Sequence, residues 1–158
     1  MSTLIIYATK YGFTQKCAEM IAQGLTENVD VCNIKLAGQP DLSPYDKVIV
    51  GSSVYAGRIR KEIRQFCTAK REKLKSKKLA FFICGMAENQ AQAQITTAFP
   101  QELLSIASAA EFFGGQYKFD KMNFLERIII KQISGSTKDV SRLNSDNINK
   151  LIQIMSQT

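Results

Sequence analysis

Five short apolar runs constrain the fold more than any other feature of the chain: "TLIIYA" (3–8), "VDVCNI" (29–34), "KVIVGSS" (47–53), "LAFFIC" (79–84) and "EFFGGQYKF" (111–119). They have the length and the β-branched or aromatic make-up of strands. Segments with helical spacing separate them. Cys17, Ile21, Ala22 and Leu25 recur on one helical face after a start at Thr14, and Ile59, Ile63, Phe66 and Cys67 line another. Pro100 divides the link 88–109, which predicts a short helical turn and then a helix with proline in its first turn. "KLAGQPDLSPYD" between the second and third runs is too broken for more than one turn. A helix is expected over 122–134 and a closing one from Ser145, capped by that serine and carrying Ile148, Leu151, Ile152 and Met155. Strands that alternate with helices pair in parallel, and strands apolar on both faces call for helices on both sides. The expectation is an α/β protein of three layers, with all of residues 1–158 in one domain.

A chain of this length buries about 68–70% of the surface that its unfolded form exposes, so it needs no disulfides to fold. Cys17, Cys32, Cys67 and Cys84 match neither a C-x-x-C pair nor zinc spacing, and their apolar neighbours predict buried free thiols. There is no histidine, which removes Ser-His-Asp chemistry and histidine metal sites. No apolar run approaches the roughly 20 residues of a membrane span. Met1-Ser2-Thr3 leads straight into the first strand, so a cytoplasmic location is expected.

The net charge of +7 comes from one stretch, because residues 58–78 hold ten Lys or Arg against two Glu. A solvated helix face explains this, and so does attraction to an anionic small molecule, an acidic partner or the anionic inner face of a membrane. Nucleic acid is disfavoured, since no aromatic residues are interleaved with the basic ones.

The loop between the first run and its helix, Thr9-Lys10-Tyr11-Gly12-Phe13-Thr14, carries the clearest chemical signal. Two hydroxyls, backbone N–H groups and the positive end of a helix make an anion cradle, and Gly12 lets the backbone curve tightly. The loop has no carboxylate to repel a phosphate. Neither G-x-x-x-x-G-K-[ST] nor G-x-G-x-x-G occurs, and a phospho-receiver domain would place aspartates where Thr9 and Lys10 stand.

This loop, its place after the first strand and the five-strand pattern together resemble the flavodoxin family, whose phosphate loop reads [ST]-x-[TSN]-G-x-T; Tyr11 departs from that pattern. The resemblance implies a three-layer flavodoxin-like fold, a five-stranded parallel sheet in the order 2-1-3-4-5, and FMN as cofactor. It also implies that Ser52, Ser53, Val54, Tyr55, Ala56 and Gly57 lie along one side of the flavin, with Tyr55 available for stacking, and Cys84, Gly85, Met86 and Glu88 along the other. "TKYGFTQKCAE", "GSSVYAGRIRKEI" and "KMNFLERIIIKQISG" are similar to segments of menaquinone-dependent protoporphyrinogen IX dehydrogenases, whereas the mild, polar stretch 86–99 departs from them. The expected function is therefore that of an FMN-binding redox protein. Dehydrogenation of a porphyrinogen-like two-electron donor with quinone as acceptor stands beside a one-electron carrier with a protein partner and a regulatory module that binds flavin without turnover.

Overall fold

Alternate residues of the first strand feed two separate cores. The computed structural model describes residues 1–117, 125, 126, 128 and 140–157. In it β1 (Ser2–Ala8) sends Leu4, Ile6 and Ala8 to one face of the sheet and Ile5 and Tyr7 to the other. β3 (Lys47–Tyr55) and β5 (Lys78–Cys84) divide in the same way, with Val48, Val50, Leu79, Phe81 and Ile83 on the first face and Ile49, Ala80, Phe82 and Cys84 on the second. Strands apolar on both faces belong in the middle of three layers.

With β2 (Asn28–Asn33) and β6 (Ala109–Phe112) these strands form a parallel path β2-β1-β3-β5-β6. Among the parallel strands alone this is the expected order 2-1-3-4-5. Two additions were not foreseen. β4 (Arg58–Ile59) folds back antiparallel on the end of β3, and β7 (Gly114–Tyr117) pairs with β8 (Val140–Leu143) in a separate antiparallel ribbon.

The first core is covered by α3 (Lys61–Ala69), α4 (Arg71–Lys75), α5 (Ala91–Ala98) and α6 (Gln101–Leu104), through Ile63, Phe66, Cys67, Leu74, Ile95 and Leu103. The second lies under α1 (Phe13–Gly24) and the closing helix, which contribute Cys17, Ala18, Ile21, Ile148, Leu151 and Met155. The link after β2 holds a single helical turn, α2 (Ile34–Ala37), as expected.

Other boundaries differ from the expectation for identifiable reasons. The run 111–119 is not one strand, because Gly114 has φ +83 and turns the chain out of the sheet into the ribbon. Pro100 precedes α6 as its cap instead of lying in its first turn, and the longer helix is the one before it. The closing helix, α7 (Ser145–Ser156), is capped by Asn144, whose side chain accepts the Asn147 N–H, and not by Ser145. Of the helix expected over 122–134, positions 125, 126 and 128 are helical and the rest lies outside the described residues. Cys17, Cys67 and Cys84 are buried free thiols, and Cys32 is only half-buried.

Gly51 in β3 has no room for a side chain. An added Cβ would lie 2.0 Å from the ring of Phe82, its partner across β5, and that ring stacks on Phe113 at 4.7 Å between centroids. Gly51→Ala should therefore cost about 1–3 kcal/mol by overpacking. Thermal denaturation should show Tm falling by roughly 2–10 °C. An unchanged Tm would mean that the Phe82 ring moves aside freely.

Candidate functional site

β1, β3 and β5 lie side by side and end at Ala8, Tyr55 and Cys84. From β1 the chain turns to one edge of the sheet and from β3 to the other, so a crevice opens at their carboxyl ends. A cavity of about 310 Å3 occupies it. Its lining includes Thr9, Lys10, Tyr11, Phe13, Thr14, Ser53, Val54, Tyr55, Ala56, Gly57, Cys84, Gly85 and Met86, joined by Ala87, Gln94, Gly115 and Gln116, which no sequence motif had marked. Of the other expected residues, Gly12 shapes the first loop from outside the lining. Ser52 is turned to local structure, accepting the Arg60 N–H at 2.9 Å and donating to the Ser53 carbonyl at 3.0 Å. Glu88 lines a neighbouring cleft of about 360 Å3 with Arg142 and Asp146.

The first loop ends in an uncapped helix start. Gly12 is the N-cap of α1 with φ 98, no side chain caps the helix, and its first turn contains no acid. First-turn N–H groups and a positive helix end of this kind can receive an anion. Thr9 is used within the loop, where its Oγ1 accepts the Gly12 N–H at 2.9 Å. Thr14 is fully buried and its Oγ1 makes no hydrogen bond of ordinary geometry. Beside it, burial and the adjacent Cys17 thiol push the Cys84 thiol well above its usual range, a rise that Thr14 tempers. The two sulfurs are 3.9 Å apart.

One acidic side chain reaches this loop from far along the sequence. Glu126 forms an ion pair with Lys10 at 3.1 Å and accepts a hydrogen bond from the Tyr11 hydroxyl. Lys10 in turn sits 3.4 Å from the centre of the Tyr55 ring, a cation–π contact. Burial, and then the hydrogen bond to Glu126, hold the Tyr11 phenol far above its ordinary value; Tyr55 is also raised, by burial and by the charge of Glu126. The loop that carries no acid in sequence thus has one in space, more than a hundred positions away.

The cavity holds more polar atoms than the protein itself satisfies. Three of its lining oxygens, Thr14 Oγ1, Ser53 Oγ and Gln94 Oε1, are buried without a hydrogen-bond partner. A buried unpaired polar atom costs about 1–3 kcal/mol, so three converging on one cavity fit a ligand that carries polar groups along its length.

The flavodoxin domain family matches this chain over residues 4–144. The chain belongs to that family. It is similar to the protoporphyrinogen IX dehydrogenase [quinone] of Escherichia coli (strain K12), with 23% identity over 154 residues that cover 90% of this chain and 85% of the relative. The protein of the same name from Leishmania major is 22% identical over 152 residues, or 88% of this chain and 66% of that one. Among solved structures, oxidised Flavodoxin 1 from Bacillus cereus superposes with a TM-score of 0.59 at 15% identity, over 97% of this chain and 93% of the other, and shares the fold.

The basic stretch 58–78 is partly consumed by the protein. Lys77 donates to the Tyr45 carbonyl, Lys78 to the carbonyls of Ile154 and Gln157, and Arg71 and Lys75 pair with Glu72 and Glu102. Among the described residues no helix is long and apolar enough to cross a membrane.

Proposed function

We propose that the chain binds FMN in the cavity at the ends of β1, β3 and β5 and acts as a redox protein. The observation that carries this reading is the pairing of an acid-free helix start with three unsatisfied oxygens in one cavity. The amides that open α1 and Thr14 hold the phosphate. Ser53, Val54, Tyr55, Ala56 and Gly57 approach the ring from one side, and Cys84, Gly85 and Met86 from the other. Tyr55, whose ring Lys10 approaches at 3.4 Å, stacks on the flavin. When bound, the flavin supplies hydride or electron transfer, and the protein supplies position, charge and exclusion of water.

The named relatives support a dehydrogenase of a porphyrinogen-like two-electron donor with quinone as acceptor. The exposed Lys61, Arg64 and Lys73 remain for contact with an anionic membrane surface or an acidic partner.

The absorption spectrum of the purified protein with added FMN is the direct test, with bound-flavin bands and quenched emission expected. Tyr55→Ala should weaken binding by about two- to tenfold, on the scale of an aromatic pair, and restore part of the emission. Anaerobic turnover of a porphyrinogen with quinone would support the dehydrogenase. Efficient reduction by a flavoprotein reductase without quinone turnover would replace it with the carrier. A protein that neither carries nor takes up FMN would end the whole reading.

A further inference from the structure

We infer that Gln94 reads the ring edge of the flavin, its side-chain carbonyl accepting the hydrogen of the ring's imide N–H. This rests on the FMN reading above. It assigns a binding role to a residue that lies in no loop of the sequence motif.

Gln94 belongs to α5, which covers the face of the sheet opposite α1, yet both helices border the same cavity. Its neighbour Ile95 is buried in the core and fixes that part of the helix. A ligand that reaches from the helix start of α1 to Gln94 crosses the carboxyl ends of β1, β3 and β5. If its phosphate sits at α1, its far end is at α5.

Gln94 Oε1 is buried and unpaired, 4.0 Å from the position that a Cβ on Gly85 would occupy. The backbone N–H of Gly85 is already spent, because it donates to the Gly114 carbonyl at 2.8 Å. No described residue donates to Gln94 Oε1, which leaves it free to accept from a ligand in the cavity. Ser53 Oγ is also unpaired, but a hydroxyl rotates to donate or accept and so discriminates little. An amide oxygen only accepts.

Oxidised isoalloxazine carries one ring N–H, the imide, between two carbonyls, and the rest of its heteroatom edge only accepts. The ribityl hydroxyls lie between phosphate and ring and suit the middle of the cavity. An amide carbonyl at the far end matches the imide, and the NH2 of the same amide supplies a donor for a flanking carbonyl. A site built around such a pair rejects an analogue that lacks the hydrogen, because the buried acceptor is then left unpaired.

The test compares FMN with N3-methyl-FMN by fluorescence titration in the parent, Gln94→Leu and Gln94→Glu. The parent should prefer FMN by at least about tenfold. Gln94→Leu should bind FMN about ten- to a hundredfold more weakly and bring the two ligands to within about twofold of each other. Gln94→Glu keeps an acceptor and should keep the preference, which carries the test even if the leucine variant fails to fold. A parent that binds both ligands equally, a preference that survives in Gln94→Leu, or its loss in Gln94→Glu would overturn the assignment while leaving FMN binding in place. A parent that binds neither ligand would overturn the FMN reading itself.

Discussion

Lys47→Met should cost about 3–5 kcal/mol of stability, the range for breaking a buried ion pair from one side. Lys47 begins β3 and is 3% exposed, yet it carries a full charge into the base of the sheet. Three features explain how the fold tolerates it. Its Nζ pairs with Glu27 at 3.0 Å, donates to the Met155 carbonyl at 2.6 Å, and so meets the negative end of α7. Lys78, its cross-strand neighbour, donates to the Ile154 carbonyl in the same helix end, and partial burial and the Lys47 charge hold Lys78 below the usual lysine range. With Met at 47, Glu27 loses its counter-ion and the Met155 carbonyl its donor. At about 2–4 °C per kcal/mol for a domain of this size, Tm should fall by on the order of 10 °C. Glu27→Gln added to Lys47→Met should recover part of the loss, since it removes the uncompensated carboxylate. A single-variant cost below about 1 kcal/mol, or a double variant that loses the sum of both, would show that Glu27 simply turns to solvent and that the pair is not coupled.

The sheet was legible in the sequence because its central strands are buried on both faces. Continuous apolar runs such as "LIIYA" and "LAFFIC" satisfy no surface helix, and their order follows once the connections are helical. The last strand was misplaced for a local reason: "EFFGG" reads as apolar and extended throughout, while the sheet strand ends at Phe112 and a positive φ at Gly114 turns the chain away. The start of α1 could be read from six consecutive residues, since a helix start is a local structure. Glu126 and Gln94 could not. Gln94 reaches the cavity, and Glu126 the loop beside it, from segments whose sequence gives an ordinary reason for each, an amide on a polar helix and an acid on a mixed-charge stretch. Only the pairing of Glu126 with Lys10 and the missing partner of Gln94 Oε1 single them out. What the basic stretch does inside the fold was also beyond local reading, because several of its cations tie down backbone carbonyls and neighbouring acids.

Thr14→Val should stabilise the ligand-free protein and weaken FMN binding, two changes of opposite sign from one substitution. Thr14 is fully buried and its hydroxyl has the Cys84 thiol beside it but no hydrogen bond of ordinary geometry among the described residues, so the ligand-free fold bears a desolvation cost that an isosteric methyl group removes. A gain of about 1 kcal/mol would raise Tm by about 2–4 °C. On the proposed reading the same hydroxyl, at the start of α1, donates to the phosphate. A hydrogen bond to a charged group contributes about 1.5–3 kcal/mol, so FMN should bind about ten- to a hundredfold more weakly. Riboflavin has no phosphate and serves as the control, and its affinity should stay within about twofold of the parent's. Gly12→Val tests the backbone of the same cradle. At φ 98 an ordinary L-residue is strained by about 1–2 kcal/mol, and a β-branched one by more. The loop must then shift, the Gly12 N–H leaves Thr9 Oγ1, and the first-turn amides no longer converge. FMN affinity should fall by at least about a hundredfold, again with a smaller loss for riboflavin. Equal losses of FMN and riboflavin in Thr14→Val would mean that Thr14 only supports packing beneath the ring. A lowered Tm with unchanged FMN affinity would mean that its hydroxyl is satisfied within the protein and that the phosphate is held elsewhere.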